Sequence, residues 1–141
     1  MKDQTANQTL TARTEAIRSA YAALNRNDID GFIADFDPLI LRVEWEGFPS
    51  EGKFLGIDAV REHVVQGRST WAEGSCAIEN LTAAGDTIIA LVHVHVRQVD
   101  QTDWLEGRVA DVYKWRDGKI TEFRSFFTEE QALEFVNRGN D

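Results

Sequence analysis

Apolar residues recur along this chain with two different periods, and the change of period divides it. Leu10, Ile17, Ala20, Tyr21 and Leu24 fall at roughly helical spacing and predict a first helix. Residues 1–9 before it are polar and without periodicity, and read as a frayed tail. After the turn "NRND", Asp28 can cap a short second helix with Ile29, Phe32, Ile33 and Phe36 on one side, and Pro38 ends it. "LILRVEWEG" then alternates as a strand, with Leu39, Leu41, Val43 and Trp45 on one face and Arg42, Glu44 and Glu46 on the other. "FPSEGKFLG" reads as a loop. A third helix starts near Ile57, turns Ile57, Val60 and Val64 inward, and stops around Gly67.

From Ser75 the period shortens to that of strands. "SCAIENLTAA", "TIIALVHVHVRQV", "WLEGRVADVYKW" and "KITEFRSFF" are rich in β-branched and aromatic residues and are separated by turn signals. "RDG" suits a three-residue hairpin with Gly118 in the left-handed conformation. "TEEQ" matches a capping box from Thr128 to Gln131 and opens a last helix. The reading is one domain over residues 10–141, an α+β fold with helices on one side of a curved sheet.

Which side of the sheet carries chemistry depends on the parity of the hairpins. If "VDQTD" pairs odd positions with odd, His93, His95 and Arg97 share a face with Val109, Asp111 and Tyr113, and "RDG" carries that parity to Phe123, Ser125 and Phe127. This face, with Leu91, is apolar at its margins and polar in its middle, as a concave ligand pocket is. The other face carries Ile88, Ala90, Val92, Val94 and Val96, too much valine to leave in water. Either the valine face is the core and the histidines lie outside, or both faces are covered, with a homodimer partner over Val92, Val94 and Val96. The apolar character of the last two strands favours the odd face as the inner one.

Composition narrows the partners. At 141 residues, with 43% hydrophobic and 28% charged residues, the chain suits a single soluble domain. A formal charge of −9 argues against nucleic acid and anionic membranes, which require a positive field. No apolar run approaches the roughly 18 residues that cross a bilayer, and "MKDQTANQTLTAR" has no apolar core of a secretory signal. The single cysteine, Cys76, rules out an internal disulfide and fits a reducing cytoplasm; "EGSCAIEN" offers it no adjacent base, so it reads as a bystander.

With this layout, "SAYAALNRNDIDGFIADF", "GKFLGIDAVREHV" and "VADVYKWRDGKITEFRSFF" make the chain resemble the nuclear transport factor 2-like superfamily, in its SnoaL-like and ketosteroid isomerase branch, from about residue 12 to residue 136. The resemblance implies a cone-like curved antiparallel sheet wrapped around three N-terminal helices, with a short C-terminal helix. In ketosteroid isomerase a tyrosine and a protonated aspartic acid form an oxyanion hole, and an aspartate at the end of the first strand is the general base. By motif the tyrosine falls on Tyr21 in "SAY" and the acid on Asp111 in "ADVYKW". Counting from Tyr21 puts the base at Glu44, matching the strand's valine to Val43 puts it at Trp45, and the longer loop before Gly56 permits Glu46. Side-chain alternation turns Trp45 inward and both glutamates outward. The resemblance also places His93 and His95 on the pocket wall.

Chemistry follows from these residue types. A buried carboxyl such as Asp111 finds a partner or stays protonated, and a histidine is the expected partner; a surface aspartate or a bond to Arg124 is the alternative. His93 can move a proton near neutral pH, or else bond within the sheet as a half-buried histidine. His-x-His on a strand also occurs in cupins, but those need further ligands and a jelly roll, and the remaining histidine, His63, lies on the third helix; no metal and no cofactor are expected. The expected function is acid–base chemistry on a small apolar molecule bearing a polar group: an isomerase, cyclase, dehydratase or hydrolase of a polyketide- or steroid-like metabolite. Asp111 would donate to developing negative charge, His93 would move a proton and Tyr21 would assist, in a pocket walled by His95, Trp45, Leu91, Val109, Tyr113, Phe123, Ser125 and Phe127. The alternative is a non-catalytic ligand-binding or accessory module of the same fold.

Overall fold

Ile17, Ala20 and Tyr21, with half-buried Leu24, do form one inward stripe, on helix α1 (Lys2–Asn25). The computed structural model describes residues 2–44 and 52–139, and α1 runs back to Lys2 through the stretch read as a tail. Its C-terminal carbonyls are met by Arg68, which donates from Nε to Leu24 O at 2.8 Å and from a terminal nitrogen to Asn25 O at 3.0 Å. The Asn25 amide clamps the backbone of Cys76 in both directions, at 2.8 and 2.9 Å. These contacts fix α1, and with it Tyr21, against the sheet.

Asp28 caps α2 (Ile29–Phe32), accepting from Gly31 N at 2.9 Å. A Cβ on Gly31 would lie 2.5 Å from that carboxylate, so the cap requires glycine there. The helix is a single turn, and the chain enters strand β1 (Phe36–Glu44) where the reading continued the helix. Pro38, without an N–H, sits inside a register shift between Phe36 and Leu41, where no ladder bond is lost. The even positions of β1, Phe36, Ile40, Arg42 and Glu44, face the core and cavity, opposite to the expected sidedness. Leu39 is 77% exposed, while Ile40 and Arg42 are buried. β2 (Gly52–Leu55) pairs with β1 in the stretch read as a loop. Helix α3 (Ile57–Ser69) follows, with Val60 fully buried.

Strands β3 (Trp71–Ala84), β4 (Thr87–Gln98), β5 (Trp104–Arg116) and β6 (Lys119–Phe126) complete one curved, unclosed sheet of order β2-β1-β6-β5-β4-β3. β1 and β6 are parallel and the other pairs antiparallel, so the sheet is mixed. Everything between these two strands serves as the long crossover that parallel pairing demands. Helices α1 to α3 fill the concave face. Helix α4 (Glu129–Gly139) packs on the other face over Ile89, Leu91, Ala110, Val112 and Phe126. Its capping box is reciprocal: Gln131 N donates to Thr128 Oγ1 at 3.1 Å and Thr128 N to Gln131 Oε1 at 3.3 Å.

The hairpins decide which residues meet. Between β4 and β5, Ala90 lies opposite Asp111 and Val92 opposite Val109, while His93 faces Arg108 and His95 faces Glu106. The last pair is Arg97 with Trp104, so the connection spans residues 98–103 and pairs odd positions with even. Val92, Val94 and Val96 therefore lie on the concave face under the helices, Val92 and Val96 buried. The premise for a dimer through those valines is gone. Between β5 and β6 the turn has two residues, Asp117 and Gly118, both at positive φ (53° and 80°), as an Asp-Gly hairpin prefers. Alone it would reverse the parity. A one-residue register shift beyond Trp115 restores it, so Asp111 meets Ser125 and Tyr113 meets Phe123 as the odd-face reading required.

Candidate functional site

The hollow between helices and sheet is a cavity of about 600 Å³. Leu24, Phe32, Val64, Trp71, Val92, Val94, Val109, Phe123 and Phe127 supply apolar wall. Polar groups enter from every layer: Tyr21 from α1, Arg42 and Glu44 from β1, His63 and Arg68 from α3, Asp111 and Ser125 from β5 and β6. A volume of this size with few convergent polar groups suits a small organic molecule.

The first polar group of the site centres on Asp111, 5% exposed. Tyr21 Oη donates to its Oδ2, Ser125 Oγ donates to its Oδ1 at 2.6 Å, and the hydroxyls of Tyr21 and Tyr113 are 2.7 Å apart. Tyr113 is fully buried behind Tyr21, its ring stacked on Phe123 at 4.5 Å. Burial pushes the Asp111 carboxyl above the usual carboxylate range, and the Glu44 charge adds to the rise; the Arg42 charge and the bonds from Ser125 and Tyr21 oppose it. Burial, and then the neighbouring Asp111, raise both tyrosines well above the ordinary phenol value. The cluster therefore favours holding its protons.

The second group is built on β1. Arg42, buried, stacks over Phe123 at 3.8 Å and donates to Val43 O at 3.0 Å and Phe123 O at 3.3 Å. Its other terminal nitrogen meets Glu44 Oε1 at 3.0 Å, and His63 Nε2 meets the same oxygen at 2.9 Å. The His63 ring lies flat on Phe54, 3.9 Å between centroids. A carboxylate thus stands in the cavity wall between a buried cation and an imidazole.

The structure brings Tyr21, Asp111, Ser125, Val109, Phe123 and Phe127 to this cavity. It does not bring His93, His95 or Leu91. His93 Nε2 bonds exposed Glu106 at 2.9 Å, His95 stacks on Trp104 at 4.5 Å, and Leu91 packs in the cluster under α4. The partner expected for Asp111 was a histidine; hydroxyls fill that place. Tyr113 supports Tyr21 from behind the wall. Glu44, read as pointing outward, points in; Trp45 and Glu46 lie outside the described residues. Sequence reasoning passed over Arg42 and His63. His63 stands three residues after Val60 and one before Val64, on the inward stripe of α3, and that spacing was the available signal. Cys76 also lines the cavity, its thiol pushed up to about 12 by burial and the Asp111 charge against the pull of Arg68. Among the described residues, no group of three or more His, Cys, Asp or Glu side chains is placed to hold a metal ion, and no helix is long and apolar enough to cross a membrane.

A curved, unclosed mixed sheet folded over three helices is an α+β fold, shared with nuclear transport factor 2-like and cystatin-fold proteins. The chain belongs to the SnoaL-like domain family, which matches residues 17–123. Among solved structures it is similar to a nuclear transport factor 2-like protein from Burkholderia thailandensis E264, at 28% identity over 85% of this chain and 93% of that one, with a TM-score of 0.70. TerC co-crystallized with polyporic acid is similar at 22% identity, covering 88% and 97%, with a TM-score of 0.71. A putative SnoaL-like polyketide cyclase from Jannaschia sp. CCS1 is similar at 15% identity, covering 89% and 91%, with a TM-score of 0.71. No curated protein matches the chain significantly.

Proposed function

We propose that this protein binds a small, largely apolar molecule carrying a carbonyl-type oxygen and moves a proton on it by acid–base chemistry. The observation that carries the reading is the buried Asp111 carboxyl, held by Tyr21 and Ser125 in a cavity that also contains Glu44. Protonated, Asp111 has a hydrogen to give. Tyr21 then accepts from Asp111 and from Tyr113 and turns its own hydroxyl hydrogen toward the ligand oxygen, where negative charge develops. Glu44 takes the proton from the carbon beside the carbonyl, the C–H electron pair moves into an enolate, and the proton returns from Glu44 to carbon. The apolar walls exclude water and strengthen each of these bonds. His93, expected to move the proton, has no part in this scheme.

The assay is deuterium exchange into α-tetralone and cyclohexenone in D₂O, followed by proton NMR. Wild-type protein is expected to accelerate loss of the α-proton signal, and Glu44→Gln to reduce the acceleration by about 100-fold or more. A second reading, a non-catalytic binding module, draws support from the engagement of Glu44 by buried Arg42, the geometry of a structural ion pair. Binding of these ketones without exchange above buffer would favour that reading and overturn the first.

A further inference from the structure

Resting on the acid–base reading above, we propose that His63 is a positioning residue for Glu44: it donates from Nε2 to Oε1 and so presents Oε2 to the cavity. The geometry is a convergence. Arg42 and His63 reach the same oxygen of Glu44, at 3.0 and 2.9 Å, from β1 and from α3. Both hydrogen bonds to Glu44 fall on Oε1 and none on Oε2 among the described residues, although the side chain is only 15% exposed. A glutamate held at one oxygen by a single donor can still swing about that bond. Two donors on different elements fix the plane of the carboxylate.

Both donors are themselves immobilised. Arg42 is pinned by two carbonyls and the face of Phe123. The His63 side chain, 11% exposed, stacks on Phe54, and Phe54 lies directly opposite Arg42 in the pairing of β1 with β2. An aromatic ring with an N–H at its tip meets both demands, stacking below and donating ahead. A carboxylate has no hydrogen to offer, so His63 must carry the shared proton on Nε2. When Glu44 receives a proton on Oε2, Oε1 remains an acceptor and the bond from His63 survives. His63 therefore orients the base without changing its own protonation.

Two substitutions separate the roles a histidine could play here. His63→Gln places an amide N–H near the position of Nε2 but cannot be an acid or base. His63→Phe keeps the stack on Phe54 and removes the donor. If His63 positions Glu44, ketone exchange by His63→Phe falls about tenfold or more in kcat with KM little changed, while His63→Gln stays within about threefold of wild type. Equal exchange by His63→Phe and wild type would overturn the proposal, leaving only packing. Equal loss in both variants would also overturn it, because His63 would then carry the proton itself.

A nitrogen-15 spectrum of the histidine rings gives a readout independent of turnover. The chain has three histidines, and the His63 signal is the one that His63→Gln removes. The expectation is a protonated Nε2 whose shift moves in Glu44→Gln. An unprotonated Nε2, or a signal indifferent to Glu44→Gln, would overturn the contact. If wild-type protein exchanges no ketone, the acid–base reading fails by itself, and the nitrogen spectrum still decides whether His63 holds Glu44.

Discussion

Asp111→Asn tests whether the buried carboxyl carries a proton in the folded protein. Asp111 is 5% exposed, and burial is the largest influence on it, raising its pKa against the Arg42 charge and the bonds from Ser125 and Tyr21. An aspartate in the unfolded chain titrates near 3.9, about the ordinary value. Because the folded-state value is raised, there is a pH window in which the folded chain holds a proton that the unfolded chain has released. Stability from this group is therefore full below about pH 4 and falls as pH rises, by about 1.4 kcal/mol per pH unit, until the folded-state value is passed. Asparagine has nearly the same shape, offers a carbonyl acceptor and an N–H where the protonated acid offers a carbonyl and an O–H, and does not titrate. Urea unfolding of both proteins at steps from about pH 4 to about pH 8 measures the difference directly. Asp111→Asn is expected to gain on wild type with that slope, and the pH at which the gain levels off reports the folded-state pKa. A difference that stays flat, or a wild type that gains on the variant with pH, would mean that Tyr21 and Ser125 hold an ionised carboxylate, and the hydrogen-bond donor in the proposed chemistry would be lost.

Other parts of the structure make independent predictions. Gly74→Ala places a Cβ 2.2 Å from His95 O at a φ of +120°, so thermal unfolding should reveal a loss of about 2 kcal/mol or more; a loss below about 0.5 kcal/mol would refute the strand pairing at that point. The Cys76 thiol, raised to about 12, should react with an aromatic disulfide reagent at about pH 8 roughly 100-fold more slowly in native protein than in urea, and comparable rates would contradict its burial. His93→Ala and His95→Ala, on the outer face, should each change stability by less than about 1 kcal/mol and leave ketone exchange unaltered; a tenfold loss of exchange would put an imidazole back into the chemistry.

How far the site was legible depended on how local its determinants were. Tyr21 belongs to a helical stripe that the spacing of Ile17, Ala20 and Leu24 specifies by itself, and Asp111, Ser125 and Phe123 follow from alternation along two strands. Their mutual parity was reached through a turn one residue too long, and a one-residue register shift in β6 made up the difference. The β4–β5 connection had no such compensation. Residues 98–103 contain no Asn-Gly or Asp-Gly pair to fix the loop length, and a change of one residue moves every side chain of a strand to the other face. That single residue exchanged valines for histidines in the hollow.

β1 failed for a different reason. Alternation holds along it, but the inward set is Phe36, Ile40, Arg42 and Glu44, although Leu39, Leu41 and Val43 make the more apolar face. A buried arginine beside a glutamate contradicts any hydrophobicity-based assignment of faces, because its burial depends on the ring and carbonyl of distant Phe123 as well as on the neighbouring Val43 carbonyl and Glu44. The charges that polarise the cavity are thus the part of the site least visible to periodicity. They are also the part that decides between the two readings of the site. If the pair of Arg42 and Glu44 serves only to stabilise β1, replacing both with apolar residues of similar volume should leave a folded protein that still binds ketones. If Glu44 is the base, the same replacement keeps binding and loses exchange.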